Sequence, residues 1–227
     1  MKNVYVINGI NSDLAQFFVK KKSLRDIVIG VHRSQYIGIK NKSIILVKSF
    51  TKIKEIIEKK IKGKKKIIFI NFAASRDEKL LLNFDIRNAN KIIDSNILSS
   101  VKIAKEIIPL MIRYKFGRFI FLSSSKAEFG SEGNILYSFS KSGLRGFSRT
   151  ISKEYAKFNI TSNIISLGYF NTRMWLSLKE NIKTELLKKT LSKKLGNPII
   201  LFKVIRLIVN HDFINMAKIN IDGGVLE

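Results

Sequence analysis

The chain has 227 residues, of which 45% are hydrophobic, and its 42 lysines and arginines against 17 aspartates and glutamates give a net charge of +25. This length suits one domain with a full core, while the absence of cysteine excludes disulfides, and two histidines, His32 and His211, are too few for a histidine-rich metal site. No hydrophobic run approaches the roughly 18 residues of a membrane span, and the first residues lack the features of a signal peptide, so we expect a cytoplasmic protein without bound metal.

Seven short hydrophobic runs, rich in β-branched and aromatic residues, predict strands that are covered on both faces. In chain order they are Asn3–Asn8, Asp26–Val31, Ser43–Val47, Lys66–Asn71, Arg118–Ser124, Thr161–Ser166 and Ala217–Asp222. Helical spacing of hydrophobic residues occurs between them, in residues 14–21, 51–60, 89–114, 138–158 and 197–209. This alternation predicts a single α/β domain, residues 1–227, with a doubly wound parallel sheet of about seven strands and helices on both faces.

Ligands bind to such sheets beyond the carboxyl ends of the strands. The segments that follow the predicted strands are rich in small and hydrogen-bonding residues. They are "NGINSDLA" after the first strand, "HRS" after the second, "NFAAS" after the fourth, "SSSKAEFG" after the fifth and "LGYFNTRM" after the sixth. We therefore expect the functional site at this edge of the sheet.

The stretch "NILYSFSKSG" places Tyr137 and Lys141 four residues apart, on one face of a helix. An ammonium beside a phenol stabilises the phenolate and lowers the tyrosine pKa, which would make Tyr137 a proton donor and acceptor near neutral pH. In a chain with so many lysines this spacing also arises by chance, so the neighbouring motifs have to decide between the two interpretations.

Ser124 lies 13 residues before Tyr137, at the end of the fifth strand. This serine, tyrosine and lysine spacing resembles that of the short-chain dehydrogenase/reductase family in its single-domain, Rossmann-fold form. "NFAASRDEKLL", "GRFIFLSS" and "GLRGFSR" are most similar to 3-oxoacyl-[acyl-carrier-protein] reductases. "DSNILSS" resembles the family stretch that carries a catalytic asparagine. The resemblance implies four catalytic residues, Asn96, Ser124, Tyr137 and Lys141, although Ser123 and Ser125 adjoin Ser124.

The same resemblance implies where a nicotinamide dinucleotide would bind. In "NGINSDLA" Gly9 is retained, while Asp13 and Ala15 stand where the family has its second and third glycines, so backbone N–H groups near the helix start would hold the phosphates. The predicted cofactor-binding residues here are Gly9, Ser12, Asp13 and Leu14. Tyr137 and Lys141 would also contact the cofactor, as would matched positions in "INFAAS" and "SLGYFNTRM", namely Asn71, Ala73 and Thr172.

Cofactor preference is predicted from "VHRSQ", which follows the second strand. Relatives that prefer NAD carry an acidic residue there, whereas this chain offers Arg33 and Ser34, which suit the 2′-phosphate of NADP. We therefore expect NADP(H) to be favoured over NAD(H).

The resemblance implies an NAD(P)(H)-dependent oxidoreductase, and we favour an NADPH-dependent ketoreductase. Tyr137 would protonate the carbonyl, Lys141 would lower the Tyr137 pKa and bind the nicotinamide ribose, Ser124 would stabilise the developing charge, and Asn96 would hold a water. The substrate, covered by a flap at about residues 169–197, could be a 3-oxoacyl thioester. Alternatives are a nucleotide-sugar or other surface-glycan precursor and, in another class, a non-catalytic binding or regulatory protein.

The expected binding partners are inferred from the net charge of the chain and from the family resemblance. The excess of lysine is spread along the chain, so we do not expect nucleic-acid binding, but a basic face suits an acidic carrier protein. Lys115 and Lys157 lie close to positions where related reductases carry basic docking residues. We also expect a homodimer or homotetramer, formed through small residues on two long helices. These residues are Ser99, Ser100 and Ala104 on the first helix, and Ser138, Ser142 and Gly143 on the second.

Overall fold

The computed structural model describes residues 2–39, 41–63 and 65–226. Within them the seven predicted strands form one parallel sheet in the order β3-β2-β1-β4-β5-β6-β7. The strands are β1 (Lys2–Asn8), β2 (Ile27–Val31), β3 (Ile44–Val47), β4 (Lys65–Asn71), β5 (Gly117–Ser124), β6 (Ile160–Leu167) and β7 (Lys218–Ile221). The strand order reverses between β1 and β4, and this is the position where doubly wound sheets bind ligands.

Nine α-helices lie in the described part of the chain. They are α1 (Asp13–Lys21), α2 (Lys52–Lys60), α3 (Ile86–Ile93), α4 (Ser99–Tyr114), α5 (Lys126–Phe129), α6 (Ile135–Tyr155), α7 (Arg173–Leu176), α8 (Glu180–Lys188) and α9 (Pro198–Asn210). The predicted helix over residues 89–114 is α3 and α4, joined without a break by a π-helical turn, Asp94–Leu98. The sequence pattern did not predict this turn or the helices α5, α7 and α8.

The sheet has a hydrophobic cluster on each face, as the doubly wound arrangement requires. On one face α1 and α9 bury Phe18 and Ile205 against the sheet. On the other face α2, α4 and α6 contribute Ile53, Ile107 and Leu144. Because both faces are covered, the strands carry almost continuous hydrophobic runs, and the predicted fold class is confirmed.

The small residues that we expected at a subunit interface divide into two groups. Ser99, Ser100 and Ala104 are at most 3% exposed, because they face the sheet of their own chain. The interface role predicted for these three is therefore wrong. On α6, Ser142 and Gly143 are exposed and Ser138 is partly exposed, so these three remain candidates for contact with a second copy. None of the described helices is long and apolar enough to cross a membrane.

Candidate active site

A cavity of about 420 Å³ opens at the carboxyl ends of the central strands. Ser12, Asp13 and Leu14 line it from the start of α1, and Ser124, Tyr137 and Lys141 line it from β5 and α6. The structure thus brings residues that are more than 100 positions apart in sequence to one cavity. The rest of the wall is mainly apolar and comes largely from the predicted flap. It includes Phe72, Leu122, Tyr169, Phe170, Met174, Trp175, Leu178 and Leu186.

The three consecutive serines at the end of β5 have different environments. The Ser123 hydroxyl is buried and donates to the carbonyl oxygen of Lys141 at 3.2 Å. Ser125 is 3% exposed and directly precedes α5. Ser124 is partly exposed, and it lines the cavity beside Tyr137. These positions favour Ser124 over its two neighbours as the serine that can reach a ligand.

Lys141 is 2% exposed, and its ammonium donates to the carbonyl oxygens of Ala73 and Leu122, each at 2.9 Å. Burial lowers the pKa of Lys141 to about 8, while the two carbonyls favour the charged form. An ammonium has three N–H donors, so one remains for a ligand in the cavity. Lys141 therefore joins the end of β4 to β5.

The expectation that Lys141 lowers the Tyr137 pKa is wrong for this structure. Burial raises the pKa of Tyr137, while the neighbouring Ser124 side chain and the positive charge of Arg76 act in the opposite direction. Lys141 is turned toward the two carbonyls, and its Nζ lies 5.8 Å from the centre of the Tyr137 ring. Arg76, which the sequence analysis did not single out, is the cation that favours the phenolate.

Asn96 lies in the π-helical turn and is fully buried. Its amide nitrogen donates to Ser75 O at 2.8 Å and to Ser140 Oγ at 2.9 Å, and its side-chain oxygen accepts from Ser75 N at 2.7 Å. Asn96 therefore fixes the segment after β4 to α6, at the residue that precedes Lys141. Its predicted role in holding a water stays a prediction.

A buried polar cluster at the ends of β1 and β4 includes one residue that the sequence analysis did not assign to the site. The Asn8 amide donates to Asn71 Oδ1 at 2.9 Å and to Ser99 Oγ at 2.8 Å. Asn71 Oδ1 also accepts from Ala73 N at 3.2 Å. Asn8 therefore supports the segment that Lys141 holds from the other side.

The turn after β1 has a backbone conformation that requires glycine at position 9. Gly9 has φ of 75°, and a Cβ there would lie 2.6 Å from Ala73 N, so only glycine fits. Ser12 caps α1 by accepting from Ala15 N at 3.2 Å. Asp13 is the first residue of α1 and follows this cap. Among the described hydrogen bonds, none uses the backbone N–H groups of Asp13 and Leu14.

Arg33 differs from the free cation that the sequence suggested. Its guanidinium contacts Asp94 Oδ2 at 2.6 Å, and Lys102 binds the other oxygen of that carboxylate at 2.7 Å. Arg33 therefore has a carboxylate beside it, which Asp94 supplies from the π-helical turn. Ser34 is exposed and accepts from the Asn11 amide at 3.0 Å, and neither Arg33 nor Ser34 lines the cavity.

Two further cations line the cavity near Tyr137. Arg76 pairs with Glu78 at 2.8 Å, and its side chain is 20% exposed. Burial lowers the pKa of Lys126, and the positive charge of Arg76 lowers it further. In the sequence, Arg76 and Lys126 were distinguished only by their positions shortly after β4 and β5. The many lysines and arginines elsewhere in the chain made these two difficult to recognise.

Thr172 lines the cavity and caps α7, since its hydroxyl accepts from Trp175 N at 3.4 Å. Lys115 and Lys157 lie at the amino-terminal ends of β5 and β6, with the full length of the strands between them and the cavity. Their expected position near the site is therefore wrong for a single chain. In the described residues, no group of three or more metal-ligating side chains was found.

Comparison with known proteins identifies the family to which the chain belongs. The family model "short chain dehydrogenase" matches residues 44–183. The chain belongs to the short chain dehydrogenase family. A 3-oxoacyl-[acyl-carrier-protein] reductase FabG of Buchnera aphidicola subsp. Baizongia pistaciae is 30% identical, and the match covers 99% of this chain and 97% of that protein. The corresponding MabA of Mycobacterium tuberculosis is 30% identical over 72% of this chain and 66% of its own length, slightly under two thirds.

Solved structures agree with this family at the level of the fold. A crystal structure of the 3-oxoacyl-[acyl-carrier protein] reductase from Brucella melitensis superposes with a TM-score of 0.85 at 15% identity, covering 100% of this chain and 91% of that one. A 4-hydroxyisoleucine dehydrogenase mutant gives a TM-score of 0.83 at 20% identity, covering 97% of each chain. The family resemblance and its nearness to 3-oxoacyl-[acyl-carrier-protein] reductases are thus confirmed, and the expected class of short-chain oxidoreductase is confirmed at the level of the family.

Proposed function

We propose that this protein is an NADPH-dependent ketoreductase whose substrate is a 3-oxoacyl thioester on an acidic carrier protein. The observation that carries the proposal is the meeting of Ser124, Tyr137 and Lys141 in one cavity with the start of α1. Two curated relatives at 30% identity are named 3-oxoacyl-[acyl-carrier-protein] reductases, which supports this substrate class over other carbonyl compounds.

The residues around the glycine turn fit a dinucleotide. Gly9 leaves room that a Cβ would fill, and the N–H groups of Asp13 and Leu14 point along the start of a nine-residue helix, which favours an anion. Tyr137 and Lys141 line the same cavity, so one extended ligand could contact both regions. A bound nicotinamide dinucleotide would supply the hydride.

Each catalytic side chain then has a task that its surroundings permit. Tyr137 gives its proton to the carbonyl oxygen, since burial keeps the phenol protonated at neutral pH. Ser124 donates a hydrogen bond to the same oxygen as negative charge develops on it. Lys141 uses its third N–H to orient the ribose next to the nicotinamide. Asn96 keeps the segment after β4 in place, so that the Lys141 carbonyl contacts are maintained.

The cavity and its rim support a carrier-bound acyl substrate. Phe170, Trp175 and Leu186 give the cavity apolar walls that suit an acyl chain. The helix α8 contributes Leu186 to this wall, and the exposed lysines Lys188 and Lys189 lie at its carboxyl end, the second just past the last helical residue. These two lysines replace Lys115 and Lys157 as the basic residues that we propose for docking of an acidic carrier.

A second candidate substrate is an anionic nucleotide-sugar or other surface-glycan precursor. The observation that favours it is the presence of Arg76 and Lys126 in the cavity wall, because two cations near Tyr137 suit a small substrate with its own negative charge. A protein that binds a dinucleotide without turnover remains the alternative outside the enzyme class.

The decisive experiment supplies NADPH with acetoacetyl thioester on acyl carrier protein, and follows loss of NADPH fluorescence. We expect turnover, with a lower KM than for the same acyl group on N-acetylcysteamine. Lys188→Glu with Lys189→Glu should raise the KM for the carrier-bound substrate alone, whereas Lys59→Glu on α2 should not. Turnover of UDP-linked keto-sugars but not of thioesters would select the second candidate, and binding of NADPH without any turnover would select the non-catalytic one.

A further inference from the structure

An ion pair joins the glycine turn to the segment after β6, across 160 residues of sequence. Arg173 Nε lies 2.7 Å from Asp13 Oδ1, and the Arg173 backbone N–H donates to the other oxygen of the same carboxylate. The guanidinium also donates to the carbonyl oxygen of Asn11. Asp13 and Arg173 both line the cavity that contains Tyr137. The pair therefore lies beside the backbone N–H groups proposed to hold the phosphates.

This pair has the exposure of an ordinary surface salt bridge. The side chains of Arg173 and Asp13 are 57% and 34% exposed, and ion pairs of this kind contribute little to the free energy of unfolding. Arg113 and Glu58 form a pair with nearly the same geometry, at 2.8 Å and with 59% and 34% exposure, far from the cavity. A contribution to the free energy of unfolding therefore does not explain why the Asp13–Arg173 pair lies at the cavity.

Asp13 poses an electrostatic problem for the proposed cofactor, on which this inference rests. A pyrophosphate at the start of α1 would be close to the Asp13 carboxylate, and the two like charges repel each other. The neutral N–H groups of the turn cannot cancel that charge. A cation must accompany Asp13 if the turn is to hold phosphates, and Arg173 is in contact with it.

We propose that Arg173 is a pyrophosphate-binding residue of this protein and that Asp13 positions it. A guanidinium has five N–H donors, of which Arg173 uses one for Asp13 and one for Asn11 in the described contacts. The three that remain can bind phosphate oxygens, and a planar guanidinium suits that geometry. The Asp13 carboxylate, which would repel a pyrophosphate by itself, holds the required cation over the turn.

The test is a double-mutant cycle on dissociation constants, measured by protein and NADPH fluorescence without turnover. Arg173→Ala leaves Asp13 uncompensated, so we expect binding of NADPH and of NADH to weaken by about ten- to a hundred-fold, equally for the two because both contain the pyrophosphate. Asp13→Ala with Arg173→Ala should recover part of this loss. Arg173→Lys should retain more affinity than Arg173→Ala, and Arg113→Ala should change nothing.

Thermal unfolding of each ligand-free variant verifies that it folds, with midpoints expected within about 3 °C of the unmutated protein. Unchanged or tighter dinucleotide binding by Arg173→Ala, in a protein that binds NADPH, would overturn this inference and leave the proposed function intact. The same holds if the double variant binds as weakly as Arg173→Ala. If the unmutated protein binds neither NADPH nor NADH, the inference and the proposed function fail together.

Discussion

The two ends of the cavity differ in how the sequence encodes the side chains that line them. At the catalytic end, Ser124, Tyr137 and Lys141 lie within 18 residues of one another, on one strand and the next long helix. Around the proposed dinucleotide site, Arg173 in the cavity wall and Arg33 outside the cavity pair with carboxylates 160 and 61 residues away. The catalytic end is therefore encoded by local spacing, whereas the charge balance of the dinucleotide end depends on contacts between distant segments.

This difference explains why one end follows the family pattern and the other departs from it. A proton donor and its lysine must keep their relative geometry, and helical spacing fixes that geometry. A phosphate site needs backbone N–H groups and a net positive charge, and the charge can come from any segment that folds over the turn. Substitution of a glycine by Asp13 is compatible with such a site when another segment brings Arg173.

The largest expected effect tests the catalytic end. Tyr137→Phe removes the transferable proton and keeps the ring, so we expect kcat to fall by about 10²- to 10⁴-fold while the dissociation constant for NADPH changes little. The matched control is Tyr169→Phe, since Tyr169 is the other tyrosine of the cavity wall and should retain activity within a few fold. Most of the activity surviving in Tyr137→Phe would show that the proton comes from another group.

The next effect concerns the buried ammonium of the same end. The folded protein releases the Lys141 proton near pH 8, whereas the unfolded chain holds it to about pH 10.5, so the unfolded state binds more protons between these values. Stability should therefore rise with pH across this window, relative to Lys141→Met, by up to about 3 kcal/mol. Urea unfolding of both proteins at pH 7 to 10 measures it. Parallel pH profiles would contradict the burial of a titrating Lys141.

Both predictions concern residues that the sequence analysis identified, and the fold could also be predicted from the sequence. Every strand lies within one residue of its predicted ends, because burial on both faces leaves an unmistakable hydrophobic run. Asn96 and Gly9 were also found, since each matches a family motif. The sequence did not reveal which groups contact the charged and titrating side chains. These groups are the carbonyl acceptors of Lys141, the Asp94 carboxylate beside Arg33, and the cations near Tyr137. A chain with a net charge of +25 gives no sign of which arginine or lysine folds toward a given group.

A smaller effect tests cofactor choice at the dinucleotide end. We expect NADPH to bind at least about tenfold more tightly than NADH, because Arg33 can contact a 2′-phosphate. Arg33→Ala should remove this preference with little change for NADH. Asp94→Asn should increase it, since the carboxylate now occupies Arg33 at 2.6 Å and would repel the phosphate. Equal dissociation constants for the two cofactors in the unmutated protein would refute an NADP site at Arg33.

The smallest expected effect returns to Tyr137 and to a cation that spacing did not reveal. Burial raises the Tyr137 pKa, and Arg76 lowers it through its positive charge. Arg76→Gln removes this charge, so the alkaline limb of the pH profile for ketone reduction should move upward, and only slightly, because Glu78 and solvent screen the guanidinium. Glu78→Gln removes the screening partner and should move the limb slightly downward. Shifts of the same sign in both variants would mean that they act through altered packing, and an unmoved limb in Arg76→Gln would leave burial and Ser124 as the determinants of the Tyr137 pKa.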